Sequence, residues 1–336
     1  MKKQLKSLVT AFLISLLIVS CNYNNRFNID TSENNVVVKI HRFDSALISY
    51  DSTDNKCLSK LNSKFSDFLP VYTSEIINTN LNDSATVKKE FKQFLSDSIF
   101  AKVNKKTMET FGDVSDIEKT VSEAFTYIHH YFPKVILPEI YFYVSGFNRA
   151  AILNNKFIGI GTDYYLGNDY ARYKDFTYDY LIYNMRRECV ATDIVSATLF
   201  RIFPMNNSQD RLLDNMLYRG RIMYLLSVFM PNEKSENIMG YQIEKWNWCK
   251  TNEKAIWTAV IDQKDLFSTD MLLIRKYMDD APFTSPISQK SPGRLGTWLG
   301  WQIVDSYMKK NKNLSLVDLM NETNSQKILE ESGYRP

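Results

Sequence analysis

Polar and apolar residues alternate at helical spacing over most of this chain, with strand-like patterning near its start and middle. The β-branched run "VVVKIHRFD" (36–44) predicts a first strand. Next, "CLSKLNSKFSDFL" (57–69) and "ATVKKEFKQFLSDSIF" (85–100) place apolar groups three and four residues apart, which predicts helices. The clearest helix is "SDIEKTVSEAFTYIHHYFP" (115–133). Ile117, Val121, Phe125, Ile128 and Phe132 share a face, Ser115 and Glu118 have capping-box spacing, and Pro133 ends it. The β-rich runs "PEIYFYVSGF", "AAILN" and "KFIGIGTD" follow, with Asn154-Asn155 marking a hairpin. A tyrosine-rich stretch (163–185) leads back to helical pattern in "RLLDNMLYRGRIMYLLSVFM", "NEKAIWTAVI" and "TWLGWQIVDSYMKKN". With no fixed-period repeat and no long linker, the expected architecture is a mainly helical α+β single domain around one small sheet in the middle of the chain, spanning 36–336.

The first residues read differently. "MKKQLK" and the apolar run Leu8 to Val19 form a secretion signal, too short for the roughly 20 residues that a bilayer span requires. Ile18-Val19-Ser20-Cys21 resembles the lipobox of bacterial lipoproteins. That resemblance implies cleavage after residue 20, diacylglycerol on the Cys21 thiol and acylation, palmitate included, of the new amine. Residues 1–20 are thus expected to be a signal peptide and 21–35, "CNYNNRFNIDTSENN", a flexible polar tether. The lipid bilayer, reached through acylated Cys21, is the first expected partner. Asn22 in place of an aspartate, and the missing acidic cluster after Cys21, favour the periplasmic face of the outer membrane.

Cleavage also alters the charge. The whole chain is formally +3, but Lys2, Lys3 and Lys6 leave with the signal. The remainder is close to neutral and has no basic stripe, so nucleic acid is not an expected partner. Cys57, Cys189 and Cys249 are too few and too widely spaced for a disulfide framework, although one pair can close in an oxidising compartment.

Catalytic motifs are sparse. The chain has three histidines and neither H-E-x-x-H nor G-x-S-x-G. His129 and His130 are adjacent, not four apart, so one helix face cannot present both to a metal. No cofactor or metal is expected. "GIGTDYYLG" lacks the spacing of a dinucleotide loop; its glycines read as a tight turn, with Asp163 bonding local amides. In "SPGRLGTWLGWQIVDSYM", Ser291-Pro292-Gly293 opens a helix on which Gly296 and Gly300 admit a neighbouring backbone. Arg294, just before that helix, is a candidate for a binding site.

Several stretches together resemble the gliding-motility lipoprotein GldB family of Bacteroidetes: the lipobox, "IHRFDSALIS", "YFYVSGFN", "FIGIGTDYYLG", "WCKTNEKAIW", "DAPFTS", "SPGRLGTWLGWQIVDSYM" and "ILEESGYRP". This resemblance implies an envelope lipoprotein with a non-catalytic binding or scaffolding role in gliding or related surface machinery, among other envelope or motility proteins as partners. The order of elements is also similar to that of predicted zinc-dependent proteases. In that alignment Asp193 and Ala197 occupy the two histidine positions, Arg219 replaces the ligand glutamate, and Gly220 and Tyr224 are kept. It implies a degenerate zincin-like fold, a pseudoenzyme without its metal. With Asp163 and Arg294 from the two turns above, the cleft candidates are Asp163, Asp193, Arg219, Tyr224 and Arg294. Two other functions stand as alternatives: an envelope hydrolase with an unrecognised site, and a glycan-binding lipoprotein suggested by 20 Tyr and 5 Trp.

Overall fold

In the computed structural model, residues 26–31, 35–51, 53–54, 56–205 and 210–336 are described. The signal segment, Cys21 and most of the tether lie outside them. The chain divides into a short unit, Met1–Glu33, and a body, Asn34–Pro336.

Strand β1 is Ile40–Arg42, followed by helices α1 (Phe43–Ile48), α2 (Cys57–Lys64), α3 (Leu69–Glu75), α4 (Ser84–Ser96), α5 (Ser98–Thr110) and α6 (Ser115–Tyr131). Strands β2 (Glu139–Tyr143), β3 (Ala151–Leu153) and β4 (Phe157–Gly161) come next. The rest is helical: α7 (Asp179–Ile182), α8 (Val190–Ile202), α9 (Leu212–Phe229), α10 (Ser235–Met239), α11 (Ile243–Thr251), α12 (Glu253–Asp262), α13 (Met271–Met278), α14 (Leu295–Lys310), α15 (Leu316–Asn321) and α16 (Ser325–Ser332).

The sheet has the order β1-β2-β4-β3. The expected hairpin is there: β3 pairs antiparallel with β4 across Asn154-Asn155. The sheet is not confined to the middle of the chain, however. β1 pairs parallel with β2 and β2 parallel with β4, so a strand far away in sequence completes it. Both central strands are buried on both faces, as parallel strands under two helical layers must be. Tyr141, Tyr143 and Phe157 face one layer, packed against Phe43, Phe65, Phe68, Tyr72 and Phe91. Phe142 faces the opposite way and meets Phe111 edge-on. Gly159 serves this packing: a Cβ there would lie 2.9 Å from the Phe68 ring.

Two local expectations are corrected. Ser115 and Glu118 do not form a capping box; Val114 is the N-cap of α6 and its side chain makes no cap bond. Glu118 instead accepts a hydrogen bond from the Ile40 backbone N–H at 2.9 Å and one from Lys39 Nζ at 2.9 Å, which pins β1 to α6. Residues 85–100 are not one helix either. Asp97 ends α4 and caps α5, its carboxylate accepting from the Ile99 and Phe100 amides. The three cysteines of the body are free thiols.

In the second half, α9 and α14 form the most extensively packed helix pair. A Cβ on Gly300 would sit 1.8 Å from the Met216 carbonyl oxygen, and one on Gly220 2.3 Å from the Gly300 carbonyl carbon. The two glycines lie face to face and let the backbones touch. Gly296 belongs to a different contact, against Tyr277 and Met278 of α13, so the two glycines of α14 admit two different neighbours.

A polar cavity between α8, α9 and α14

The close approach of α9 and α14, with α8 and α10 beside them, leaves a cavity of about 270 Å³. Its lining includes Asp193 and Ser196 from α8, Arg219 and Met223 from α9, Asn237 and Met239 from α10, and Thr297 from α14. Asp280 and Arg294 come from the segments flanking α14's start and also line a second hollow of about 170 Å³. Asn184 and Gly240 are likewise common to both.

Asp193 accepts a hydrogen bond from Tyr165 Oη at 2.8 Å. Burial pushes its carboxyl up to about 6, against the opposing effects of the Tyr165 bond and the Arg294 charge. Burial first, and Asp193 next, push the Tyr165 phenol well above its ordinary value. Arg294 is the N-cap of α14 and adopts the left-handed conformation, with φ of 59°. Its Nη2 donates to the Met239 carbonyl at 2.7 Å and its Nε pairs with Asp280 Oδ1 at 2.9 Å. Arg219 donates from Nη1 to the Met278 carbonyl at 2.8 Å, and Asp279 lies 3.9 Å away. Desolvation draws the Arg219 guanidinium below its ordinary value. Each charge is thus held by a protein partner. The one thiol in the lining, Cys189, is pushed up to about 11 by burial, so little thiolate exists at neutral pH.

Three of the five residues singled out from sequence meet here: Asp193, Arg219 and Arg294. The other two do not. Asp163 is fully buried at the end of β4, where it accepts from the Ser145 and Phe147 amides at 3.1 and 2.6 Å and from the Ser145 hydroxyl at 3.0 Å. It holds the loop after β2 rather than its own turn. Tyr224 is buried in α9 next to the lining residue Met223 but does not itself line the cavity, because neighbouring helix positions point in different directions. Sequence reasoning did not find Tyr165, Asn184, Asp280 or Thr297. A signal was present, because Tyr165, Asp280, Arg294 and Thr297 all fall in the unusual peptides "FIGIGTDYYLG", "DAPFTS" and "SPGRLGTWLGWQIVDSYM". Those peptides are far apart along the chain and converge only in the folded body.

Among the described residues, no three His, Cys, Asp or Glu side chains gather closely enough to hold a metal ion. Of the three positions singled out from the protease-like alignment, Asp193 and Arg219 line the cavity and Ala197 does not.

The model of the gliding motility protein GldB family matches residues 24–336. The chain belongs to the GldB family. Membership makes it a gliding-motility-related lipoprotein of the cell envelope. Among the described residues, no helix is long and apolar enough to cross a membrane. No curated protein and no solved structure matches the chain.

Proposed function

We propose that this GldB-family chain is an outer-membrane lipoprotein, anchored through acylated Cys21 on the periplasmic face, with a non-catalytic binding or scaffolding role in the gliding apparatus or related surface machinery. The family match over almost the whole length carries this reading. The cavity supports it. Its carboxylates and guanidiniums are engaged with one another, with Tyr165 or with backbone carbonyls, and its thiol is protonated. Such an arrangement is suited to holding a ligand or a partner's side chain rather than to attacking a bond.

Deleting the gene in a gliding host and restoring it as wild type or as Cys21→Ala tests the proposal. Wild type is expected to restore surface spreading, whereas the unacylated variant accumulates as folded protein without restoring it. Full rescue by Cys21→Ala would refute the anchoring role.

A second reading, an envelope hydrolase, is favoured by one observation: Asp193 titrates near 6 inside a cavity, a value suited to a proton-transfer group. Stoichiometric zinc in the purified protein, or peptide cleavage abolished by Asp193→Asn, would establish it. Absence of both would leave the binding role.

A further inference from the structure

The inner cavity carries polar atoms that the protein itself does not satisfy. Thr297 is 3% exposed and its hydroxyl has no hydrogen-bond partner. Asn184 donates its amide N–H to the Gly240 carbonyl at 3.0 Å, while its buried side-chain oxygen has no partner. A buried polar atom left in this state costs roughly 1–3 kcal/mol, and two such atoms belong to residues that line this one cavity.

The chemistry of the lining narrows what can satisfy them. Asp193 and Asp280 oppose Arg219 and Arg294, giving no net charge to recruit an ion. An anion would face two carboxylates and the acceptor oxygen of Asn184, and a cation would face two guanidiniums. A neutral ligand with hydroxyl groups meets every requirement, since each hydroxyl both donates and accepts. It can donate to Asn184 and Asp193, accept from the guanidiniums, and do either with Thr297.

Arg294 lines both this cavity and the second hollow, whose wall includes Tyr180 and Tyr183. Tyr178 stacks on Tyr180 with ring centroids 5.6 Å apart and planes at 9°, yet remains 70% exposed. Most tyrosines of the body are buried in the core, so the exposed Tyr178 ring stacked on the half-buried Tyr180 beside a polar hollow is not explained by core packing. Flat aromatic faces next to hydroxyl-seeking groups suit the apolar C–H face and polar rim of a sugar ring.

We propose that the paired hollows around Arg294 bind a neutral saccharide, with one ring in the cavity between Asn184 and Thr297 and the neighbouring ring against Tyr178 and Tyr180. This rests on the proposed binding role and gives it a ligand class. The experiment is distinct from gene deletion, so motility can fail to depend on the chain, or saccharide can fail to bind, independently.

The full chain, purified in detergent, is applied to an array of neutral glucose-, mannose-, galactose- and N-acetylglucosamine-terminated oligosaccharides, with sialylated and sulfated glycans as comparators. The retained oligosaccharide is then titrated calorimetrically into wild type, Thr297→Val and Tyr178→Ala. Retention of a neutral oligosaccharide is expected, with affinity weakened roughly three- to tenfold by Thr297→Val, as loss of one neutral hydrogen bond implies, and also weakened by Tyr178→Ala. Neither variant should lower the melting temperature, since the Thr297 hydroxyl makes no bond within the protein and Tyr178 is exposed. Retention of no neutral glycan, preference for the charged glycans, or unchanged affinity in both variants would each overturn the proposal.

Discussion

Substituting Gly300 by alanine adds one methyl group at the place where α9 and α14 come closest. The new carbon would lie 1.8 Å from the Met216 carbonyl oxygen and 2.5 Å from its carbonyl carbon, whereas ordinary contact begins at 3.4 Å. The obstacle is backbone in the middle of a helix, so no side chain can swing aside. The helices must separate by well over an ångström. A gap of ~1 Å already forfeits a quarter to a half of the dispersion attraction across a contact. Overpacking costs typically ~1–3 kcal/mol and more when backbone has to move, while the higher helix propensity of alanine returns about 1 kcal/mol. Because the obstacle is backbone, the cost lies at or beyond the top of that range, and a net loss of about 2 kcal/mol or more is expected. Gly296→Ala is the control on the same helix. Its new carbon meets the Met278 sulfur at 2.4 Å, but a thioether end is flexible, and the next neighbour, the Tyr277 carbonyl, is 3.1 Å away. That variant should lose only about 1 kcal/mol. Thermal unfolding followed by far-UV circular dichroism reads both, with fluorescence of the buried Trp298 reporting any opening of the interface. Gly300→Ala as stable as wild type, or more stable than Gly296→Ala, would refute the assignment of this contact as backbone against backbone.

Asp193→Asn is expected to stabilise the protein in a pH-dependent manner. The folded-state carboxyl titrates near 6 against an ordinary 3.8, so the folded chain holds the extra proton between those values and wild-type stability falls as pH rises through them. At ~1.36 kcal/mol per pH unit, the variant's advantage is near zero at about pH 4 and reaches about 1–3 kcal/mol above about pH 7, and a constant difference across that range would contradict burial of the charged carboxylate as its origin. Asp163→Ala leaves two backbone amides and a hydroxyl without their acceptor in the core, a loss of more than about 3 kcal/mol, whereas Asp163→Asn retains one acceptor oxygen and should lose less; equal denaturation midpoints would rule this out. Glu118→Ala should cost roughly 1–3 kcal/mol by freeing the β1 amide, with earlier hydrogen exchange at Ile40 than in wild type.

The sequence alone determined the class of fold, because helical spacing and two-residue alternation are local properties that survive without tertiary context. The single α6 helix, the Asn154-Asn155 hairpin and the helices from Leu212 onward were legible for that reason. Family membership was legible in the same way, in short peptides read one at a time. The parallel pairing of β1 with β2 was not, since register between strands a hundred positions apart leaves no local trace. Glu118 shows the limit most clearly: its spacing from Ser115 suggests a cap, but a β-strand amide brought alongside in the folded body competes for the carboxylate and wins. The cavity divides along the same line. Asp193, Arg219 and Arg294 were found from an alignment and a turn, one residue at a time. Asn184, Asp280 and Thr297 join them in the lining, and Tyr165 joins through its bond to Asp193, only once the chain is packed. Gly220 and Gly300, by letting α9 and α14 touch, set Arg219 beside Thr297, and closeness of that kind is a property that no stretch of sequence contains.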